Sequence, residues 1–160
     1  MTRLISFVGT SDSGKTTILT KIIPKLVERG LRVAVIKHHA HGDFEIDKKG
    51  KDSWKLYNSG ADVIISSPVK MALIRRSQND NLDYIFGRYL NGDYDLVLTE
   101  GFSKAGKDRI VVLNNPEKLG YFMHGKILAV ICDVRINGYP WFRRDEIDRI
   151  VDFIYDLVNK

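Results

Sequence analysis

The most constraining feature of this sequence is a glycine-bounded loop that joins a short apolar segment to an amphipathic one. The loop fits the pattern G-x-x-x-x-G-K-[ST] and consists of Gly9, Thr10, Ser11, Asp12, Ser13, Gly14, Lys15 and Thr16. Residues 4–8 before it are apolar and end at a glycine, as in a buried strand, and the apolar residues after it recur at helical spacing until Gly30. A strand, this loop and a helix in this order predict a phosphate-binding loop in an α/β protein.

Each residue type in the loop suits an anionic ligand. The glycines let the backbone curl closely around a phosphate, and the following helix N-terminus adds partial positive charge at the same place. Lys15 is expected to reach the β- and γ-phosphates, and the Thr16 hydroxyl is expected to bind Mg²⁺. The loop therefore predicts a bound nucleotide with Mg²⁺, and it gives Lys15 and Thr16 the leading roles in any phosphate chemistry.

The rest of the chain alternates apolar segments with amphipathic ones, which favours a mostly parallel sheet covered by helices on both faces. Strands are predicted at 4–8, 31–36, 62–66, 69–74, 94–99, 110–113 and 127–131. Helices are predicted at 15–29, around 54–57, at 82–90 and from the N-cap Asp145 onwards, and Pro24 should kink the first helix or end its first half. With the loop, this pattern predicts a three-layer P-loop NTPase fold of class α/β, built as a single domain over residues 1–160.

Composition narrows the classes of function. The chain has 160 residues and 44% hydrophobic residues, which suits a folded domain, and a net charge of +5, which suits an anionic partner. The single cysteine excludes an intramolecular disulfide, and no apolar run is long enough to cross a membrane. The first residues lack the pattern of a secretion signal, so a cytoplasmic location is expected. Basic residues are scattered without an aromatic stripe, so no nucleic-acid partner is expected.

Two acidic residues follow predicted strands. Because ligands bind at the carboxyl ends of parallel strands, such residues are candidates for the site. Glu100 follows strand 94–99 and is expected to hold Mg²⁺ through a water or to orient the attacking water. Asp133 follows strand 127–131, and its carboxylate could accept both N–H donors on one edge of guanine. The alternative for each is a solvated carboxylate in a turn.

The polar segment 37–53 allows three interpretations. His38, His39, His41 and Asp43 could form a metal site, although all lie on one stretch and zinc usually draws its ligands from two elements. A switch-like loop is the better interpretation, in which the Asp47-Lys48-Lys49-Gly50 segment senses Mg²⁺ and the γ-phosphate and residues 51–53 begin a helix. The third interpretation is a solvated linker.

Taken in order, these motifs resemble those of one known family. The motifs are the GxxxxGKTT loop, Ile36-Lys37-His38-His39, Phe44-x-x-Asp47-x-x-Gly50-Lys51-Asp52-Ser53, Ser59-Gly60-Ala61 and Thr99-Glu100-Gly101-Phe102. The set is similar to that of the molybdopterin-guanine dinucleotide biosynthesis protein B (MobB) family, and it covers nearly the whole chain. The loop alone is widely shared, whereas the DxxGKDS segment combined with the E-G-F turn is far more specific.

The resemblance implies a GTP-binding protein with slow intrinsic GTPase activity, usually a homodimer, that assists molybdenum cofactor biosynthesis. Its implied partners are the guanylyltransferase that attaches GMP to molybdopterin and other molybdenum cofactor proteins. It implies nucleotide contacts from Gly9 to Thr17, with Mg²⁺ held by Thr16, Asp47 and Glu100. For the cofactor side, where molybdopterin or its guanine dinucleotide would bind, it implies His38, His41, Asp47, Gly50, Lys51, Asp52 and Ser53, with Gly101 beside Glu100.

Two alternatives of other classes stay open at this stage. A small-molecule P-loop kinase shares the opening motif, and Arg75, Arg76, Arg143 and Arg144 could line its lid. A nucleotide-gated adapter would bind the nucleotide and treat hydrolysis as incidental. No arginine within the loop is aimed at a γ-phosphate, which predicts slow turnover by the chain alone and faster turnover with a partner.

Overall fold

The computed structural model describes residues 1–40, 42–77, 79–90 and 92–160. Residue contacts divide the chain into two compact units, the first formed by Met1–His38 with Asn81–Lys160 and the second by His39–Asp80. The single-domain interpretation of residues 1–160 stays a prediction.

The first unit is built on a six-stranded sheet in which every pair of neighbouring strands is parallel. Its strands are β1 (Arg3–Val8), β2 (Val33–Lys37), β5 (Leu96–Glu100), β6 (Arg109–Val112), β7 (Ile127–Ile131) and β8 (Trp141–Phe142), and they lie in the order β2-β5-β1-β6-β7-β8. In β5 the first four residues are fully buried, as expected when helices cover both faces of a parallel sheet. The order places β1 and its following loop between β5 and β6.

Helices cover both faces of this sheet. Helices α1 (Lys15–Glu28) and α4 (Ile147–Val158) pack together over one face, where their apolar sides bury the largest hydrophobic cluster with residues such as Ile5, Leu98 and Ile131. On the other face, α3 (Leu82–Tyr89) packs on Val97, and the 3-10 helix Pro116–Phe122 packs on Val111 and Val130. Alternate strand residues thus point to opposite faces, and the predicted three-layer α/β fold is confirmed.

Several sequence expectations differ from the structure in detail. α1 runs without interruption through Pro24, so the expected end of its first half is wrong. The expected N-cap Asp145 is also wrong, since α4 is preceded by Glu146, whose side chain accepts from the Arg143 backbone N–H instead. The strand Trp141–Phe142 was not predicted, because two residues carry no recognisable alternation.

The second unit contains α2 (Asp52–Asn58) and an antiparallel pair, β3 (Val63–Ser67) and β4 (Lys70–Ile74). The helix lies where residues 54–57 were predicted to form one. The turn at Ser67–Pro68 gives a two-stranded sheet of its own, separate from the parallel sheet. Large apolar side chains on both strands and in the turn are exposed, among them Ile64, Met71 and the turn residue Val69.

A charged residue, Arg109, lies completely buried at the start of β6. Its guanidinium donates to the carbonyl oxygens of Lys107 (3.1 Å), Ser103 (2.8 Å), Phe122 (3.2 Å) and His124. Burial lowers the pKa of this guanidinium below its ordinary value. Arg109 therefore holds together the loop after β5 and the segment before β7.

Candidate functional site

The phosphate loop leaves β1 at Gly9, directly against the end of β6. A Cβ atom at residue 9 would lie 2.1 Å from the Val112 carbonyl oxygen and 2.9 Å from the Ser13 hydroxyl oxygen. The φ angle of Gly9 is 157°, which side chains rarely allow. The first glycine of the motif therefore allows two backbone segments to approach closely, and the loop lies at the carboxyl edge of the sheet.

The helix that follows the loop begins without a capping side chain. Gly14 precedes it in the left-handed conformation, no side chain accepts from its first amides, and its first turn contains no acidic residue. The initial N–H groups of a helix have no acceptor within the helix, and they carry its partial positive charge. The start of α1 is therefore suited to an anion.

Lys15 extends back over the loop that precedes it. Its ammonium donates to the carbonyl oxygens of Gly9 (3.2 Å) and Thr10 (2.7 Å) and to the hydroxyl oxygen of Ser13 (3.3 Å). Burial lowers the pKa of Lys15 below its ordinary value, and the nearby carboxylates of Glu100 and Asp12 partly oppose that shift. The ammonium therefore lies inside the curl of the loop, where a phosphate would meet it.

Thr16 and Glu100 meet across the site, as the rule of strand ends predicted. The Thr16 hydroxyl donates to Glu100 Oε1 at 2.5 Å, and Lys37 Nζ lies 3.6 Å from Glu100 Oε2. Hard oxygen donors of this kind are the ligands that Mg²⁺ prefers. The convergence of a hydroxyl and a carboxylate beside the loop fits a magnesium ion. No cluster of three or more His, Cys, Asp or Glu side chains suited to a metal occurs among the described residues.

A cavity of about 490 Å³ opens at this edge of the sheet. It is lined by Ser11, Asp12, Gly14, Lys15, Thr16, Thr17 and Glu100. These predicted residues therefore share one concave surface, while the remaining loop residues Gly9, Thr10 and Ser13 form its frame through the contacts above.

An arginine and an asparagine support the loop, and sequence reasoning gave neither of them this role. Arg144 donates to the carbonyl oxygens of Ser13 (2.6 Å) and Leu113 (2.5 Å) and to Asn114 Oδ1 (2.5 Å). Asn114 Nδ2 in turn donates to the Asp12 carbonyl oxygen at 3.1 Å. Arg144 is 131 residues from Ser13 along the chain, so no local pattern could have indicated the contact.

Asp133, the predicted guanine contact, lies beside the same arginine. Its Oδ2 atom is 3.3 Å from Arg144 Nε, although the two groups are not aligned as a hydrogen bond, and its side chain is 69% exposed. The carboxylate is thus accessible at the carboxyl end of β7, as the predicted role requires. Its contact with guanine stays a prediction.

The residues predicted for the cofactor side fall in both units. His38 follows β2, and its ring lies 4.5 Å from that of Phe102, directly after Gly101. The second unit contains Asp47, Gly50, Lys51, Asp52 and Ser53. Asp47 Oδ1 accepts from the Lys48 backbone N–H, and its buried Oδ2 has no hydrogen-bond partner among the described residues. His41 lies outside the described residues.

Three of the four arginines considered for a kinase lid are engaged by residues outside the phosphate loop. Arg76 donates to the Tyr57 carbonyl oxygen at 2.6 Å and lies over the Tyr57 ring, and Arg75 Nε lies 3.5 Å from Asp62 Oδ2. Arg143 pairs with Asp145. These contacts give no sign of a common arginine lid.

Comparison with known proteins gives the family. The family model described as molybdopterin guanine dinucleotide synthesis protein B matches residues 4–133. The chain belongs to this family. The match includes the phosphate loop, Glu100 and the polar segment 37–53, so the resemblance drawn from those motifs is confirmed.

Relatives of the family match over nearly full length. The Escherichia coli molybdopterin-guanine dinucleotide biosynthesis adapter protein is 33% identical over 100% of this chain and 95% of its own. A crystal structure of a molybdopterin-guanine biosynthesis protein B is 57% identical, with a TM-score of 0.87 over 99% of this chain and all of that one. The Bacillus subtilis MobB structure is 29% identical, with a TM-score of 0.79 over 94% of this chain and 96% of that one.

Proposed function

We propose that the chain is a GTP-binding adapter in molybdopterin-guanine dinucleotide biosynthesis. The observation that carries the nucleotide part is the cavity in which the uncapped start of α1, the Lys15 ammonium and the Thr16–Glu100 pair converge. The adapter part is supported by the Escherichia coli relative, which is a molybdopterin-guanine dinucleotide biosynthesis adapter protein. The partners would be the guanylyltransferase that attaches GMP to molybdopterin and other proteins of the same cofactor.

Guanine is the proposed base, and Asp133 is the proposed contact. A carboxylate accepts the two N–H groups on one edge of guanine, whereas adenine has no equivalent pair. Asp133 follows β7 with most of its side chain exposed, which leaves its oxygens accessible to a ligand. Arg144 beside it supplies a positive charge, with its Nε 3.3 Å from Asp133 Oδ2.

Magnesium would be held by Thr16 and Glu100, and the magnesium contact of Asp47, which lies in the second unit, stays a prediction. When bound, Mg²⁺ would neutralise charge on the β- and γ-phosphates. Lys15 and the loop amides hold the triphosphate, and Glu100 is placed to orient a water. The arginine that contacts the loop, Arg144, donates to two backbone carbonyls and to Asn114. Because its donors are used there, hydrolysis by the chain alone is proposed to be slow.

The cofactor side is proposed to bind molybdopterin or its guanine dinucleotide. His38, Asp47, Lys51, Asp52 and Ser53 offer the hydrogen-bonding and charged groups that a phosphorylated pterin requires. The unpartnered Oδ2 of Asp47 supports a ligand at that residue, because a buried carboxylate oxygen is costly without a donor.

Titration of the purified chain with GTP, ATP and GDP, with and without Mg²⁺, tests this function. We expect GTP to bind at least about tenfold more tightly than ATP, because loss of the hydrogen bonds between guanine and a carboxylate costs about 1.5 kcal/mol or more. Thr16→Val should remove most of the Mg²⁺ dependence, whereas Thr20→Val, further along the same helix, should retain it. Binding of no nucleotide would contradict the proposal, and a single-turnover rate of tens of events per second would contradict slow hydrolysis.

A homodimer is also proposed, and the second unit supports it. Large apolar side chains of the β3–β4 pair are exposed, with Ile64 on β3 at 65%, Met71 on β4 at 72% and Val69 in the turn between them at 94%. Exposed apolar patches on a strand pair mark a contact surface, and an isolated hairpin is only marginally stable.

Light scattering of the purified chain is expected to give about twice the 18.3 kDa mass of one chain. Met71→Glu should shift the equilibrium towards the monomer. Met123→Glu, which makes the same change at another exposed methionine in the first unit, should not. A monomer at all concentrations would contradict the dimer.

A further inference from the structure

The phosphate loop is held from its outer side by one guanidinium group. Arg144 precedes α4 and contacts the Ser13 carbonyl oxygen, the Leu113 carbonyl oxygen and Asn114 Oδ1 at 2.5–2.6 Å. Three acceptors from two different segments fix the planar group in position, since the guanidinium has a rigid fork of donors. Arg144 therefore joins the loop to the end of β6.

The contact at Ser13 determines which way the next amide points. All peptide bonds of the described residues are trans, so the carbonyl of Ser13 and the N–H of Gly14 point in opposite directions. The carbonyl is directed at Arg144, and Arg144 is not among the residues that line the cavity, whereas Gly14 is. The Gly14 N–H is thereby turned away from Arg144, towards the cavity side of the loop.

The second glycine of the motif matches this arrangement. A Cβ atom at residue 14 would lie 3.0 Å from Arg144 Nη1, and the φ angle of Gly14 is +86°. A side chain at this position would therefore push the guanidinium away from the Ser13 carbonyl and strain the backbone. Asn114 orients the preceding peptide in a similar way, because its Nδ2 donates to the Asp12 carbonyl oxygen.

We propose that Arg144 is a positioning residue for nucleotide binding, which presents the Gly14 amide to the β-phosphate by holding the Ser13 carbonyl. The proposal rests on the proposed function, because the β-phosphate belongs to the nucleotide. Arg144 lies outside the loop motif. Its proposed role is to orient the peptide between Ser13 and Gly14, without direct contact with the ligand.

The adjacent residue Arg143 provides a matched control. It carries the same charge and lies in the same segment, but it pairs with Asp145 and has no contact with the loop in the structure. Arg144→Gln and Arg143→Gln therefore remove the same charge, but only Arg144→Gln also removes the contacts with the loop, Asn114 and Asp133. Arg144→Lys retains the charge, although one ammonium cannot match the three acceptors of the planar guanidinium.

Titrations with GDP and GTP, together with amide NMR spectra of isotope-labelled protein, test the proposal. Arg144→Gln should reduce the affinity for both nucleotides by about tenfold or more, as expected for loss of hydrogen bonds from a charged group. Arg144→Lys should reduce it by less, and Arg143→Gln should change it by under about twofold. The Gly14 amide resonance should move on addition of saturating GDP in the wild type and Arg143→Gln, and it should move much less in Arg144→Gln.

The outcomes separate this inference from the proposed function. A wild-type chain that binds no nucleotide overturns both. A wild type that binds, with Arg144→Gln binding equally well or with Arg143→Gln weakened to the same degree, overturns the role of Arg144 alone. If Arg144→Gln does not fold, the same titration is made with Asn114→Ala. Release of the Asp12 carbonyl should reduce the affinity for GDP by a few-fold, and an unchanged affinity would overturn the proposal.

Discussion

Replacement of Lys15 by alanine is expected to reduce GTP affinity by about 100-fold or more, because a charged hydrogen-bonding group contributes roughly 3 kcal/mol. The ammonium lies inside the loop, where three loop oxygens hold it, and it is the side chain best placed to meet the β- and γ-phosphates. Calorimetric titration with GTP and Mg²⁺ measures the change.

Lys21→Ala is the matched control for this substitution. Lys21 lies on the same helix and is exposed, so its loss removes an equal charge without altering the loop. It should leave GTP affinity within about twofold, since exposed charges contribute little. Retention of wild-type affinity by Lys15→Ala would contradict a nucleotide held by the loop.

The affinity should also depend on pH through Lys15. Burial lowers the pKa of the free group, so its charge is lost at a lower pH than that of an ordinary lysine. The affinity of the chain for GTP is therefore expected to decline as the pH rises through that lowered pKa. The Lys15→Ala variant, which has no charge to lose there, gives the baseline for this decline.

The second large effect is expected on stability, from Arg109→Met. The side chain is completely buried, and its removal would leave four backbone carbonyls without their donor. Loss of such a buried group costs about 3–5 kcal/mol, which is a large fraction of the stability of a domain of this size. Urea denaturation followed by circular dichroism should show the free energy of unfolding reduced by that amount.

Arg135→Met provides the comparison, because Arg135 is exposed and the same change of side chain should alter stability by less than about 0.5 kcal/mol. A cost below about 1 kcal/mol for Arg109→Met would mean that the carbonyls find other donors. Crowding at Gly125, where a Cβ would lie 2.4 Å from the Lys107 carbonyl oxygen, indicates how tightly this region is packed.

The parts of the fold that sequence predicted are those with a local cause. The strand, loop and helix at residues 3–28 follow from a buried apolar run, two glycines and helical periodicity, and the meeting of Thr16 with Glu100 follows from the rule that parallel strands end at one edge. Arg109 and Arg144 act through contacts with distant segments. Their roles depend on which carbonyls the fold brings near, and no spacing in the sequence encodes that.

Cys132 directly follows β7 and is buried in the hydrophobic cluster that contains Val111 and Val130, so its thiol can report on local opening of the fold. It is the single cysteine of the chain, and its backbone oxygen accepts from the Trp141 indole at 2.9 Å. A thiol reagent can reach this sulfur only when the sheet edge opens, so the labelling rate measures that opening directly. Because Asp133 is the next residue, slower labelling with GTP present would reveal rigidification of the edge where the base is proposed to bind.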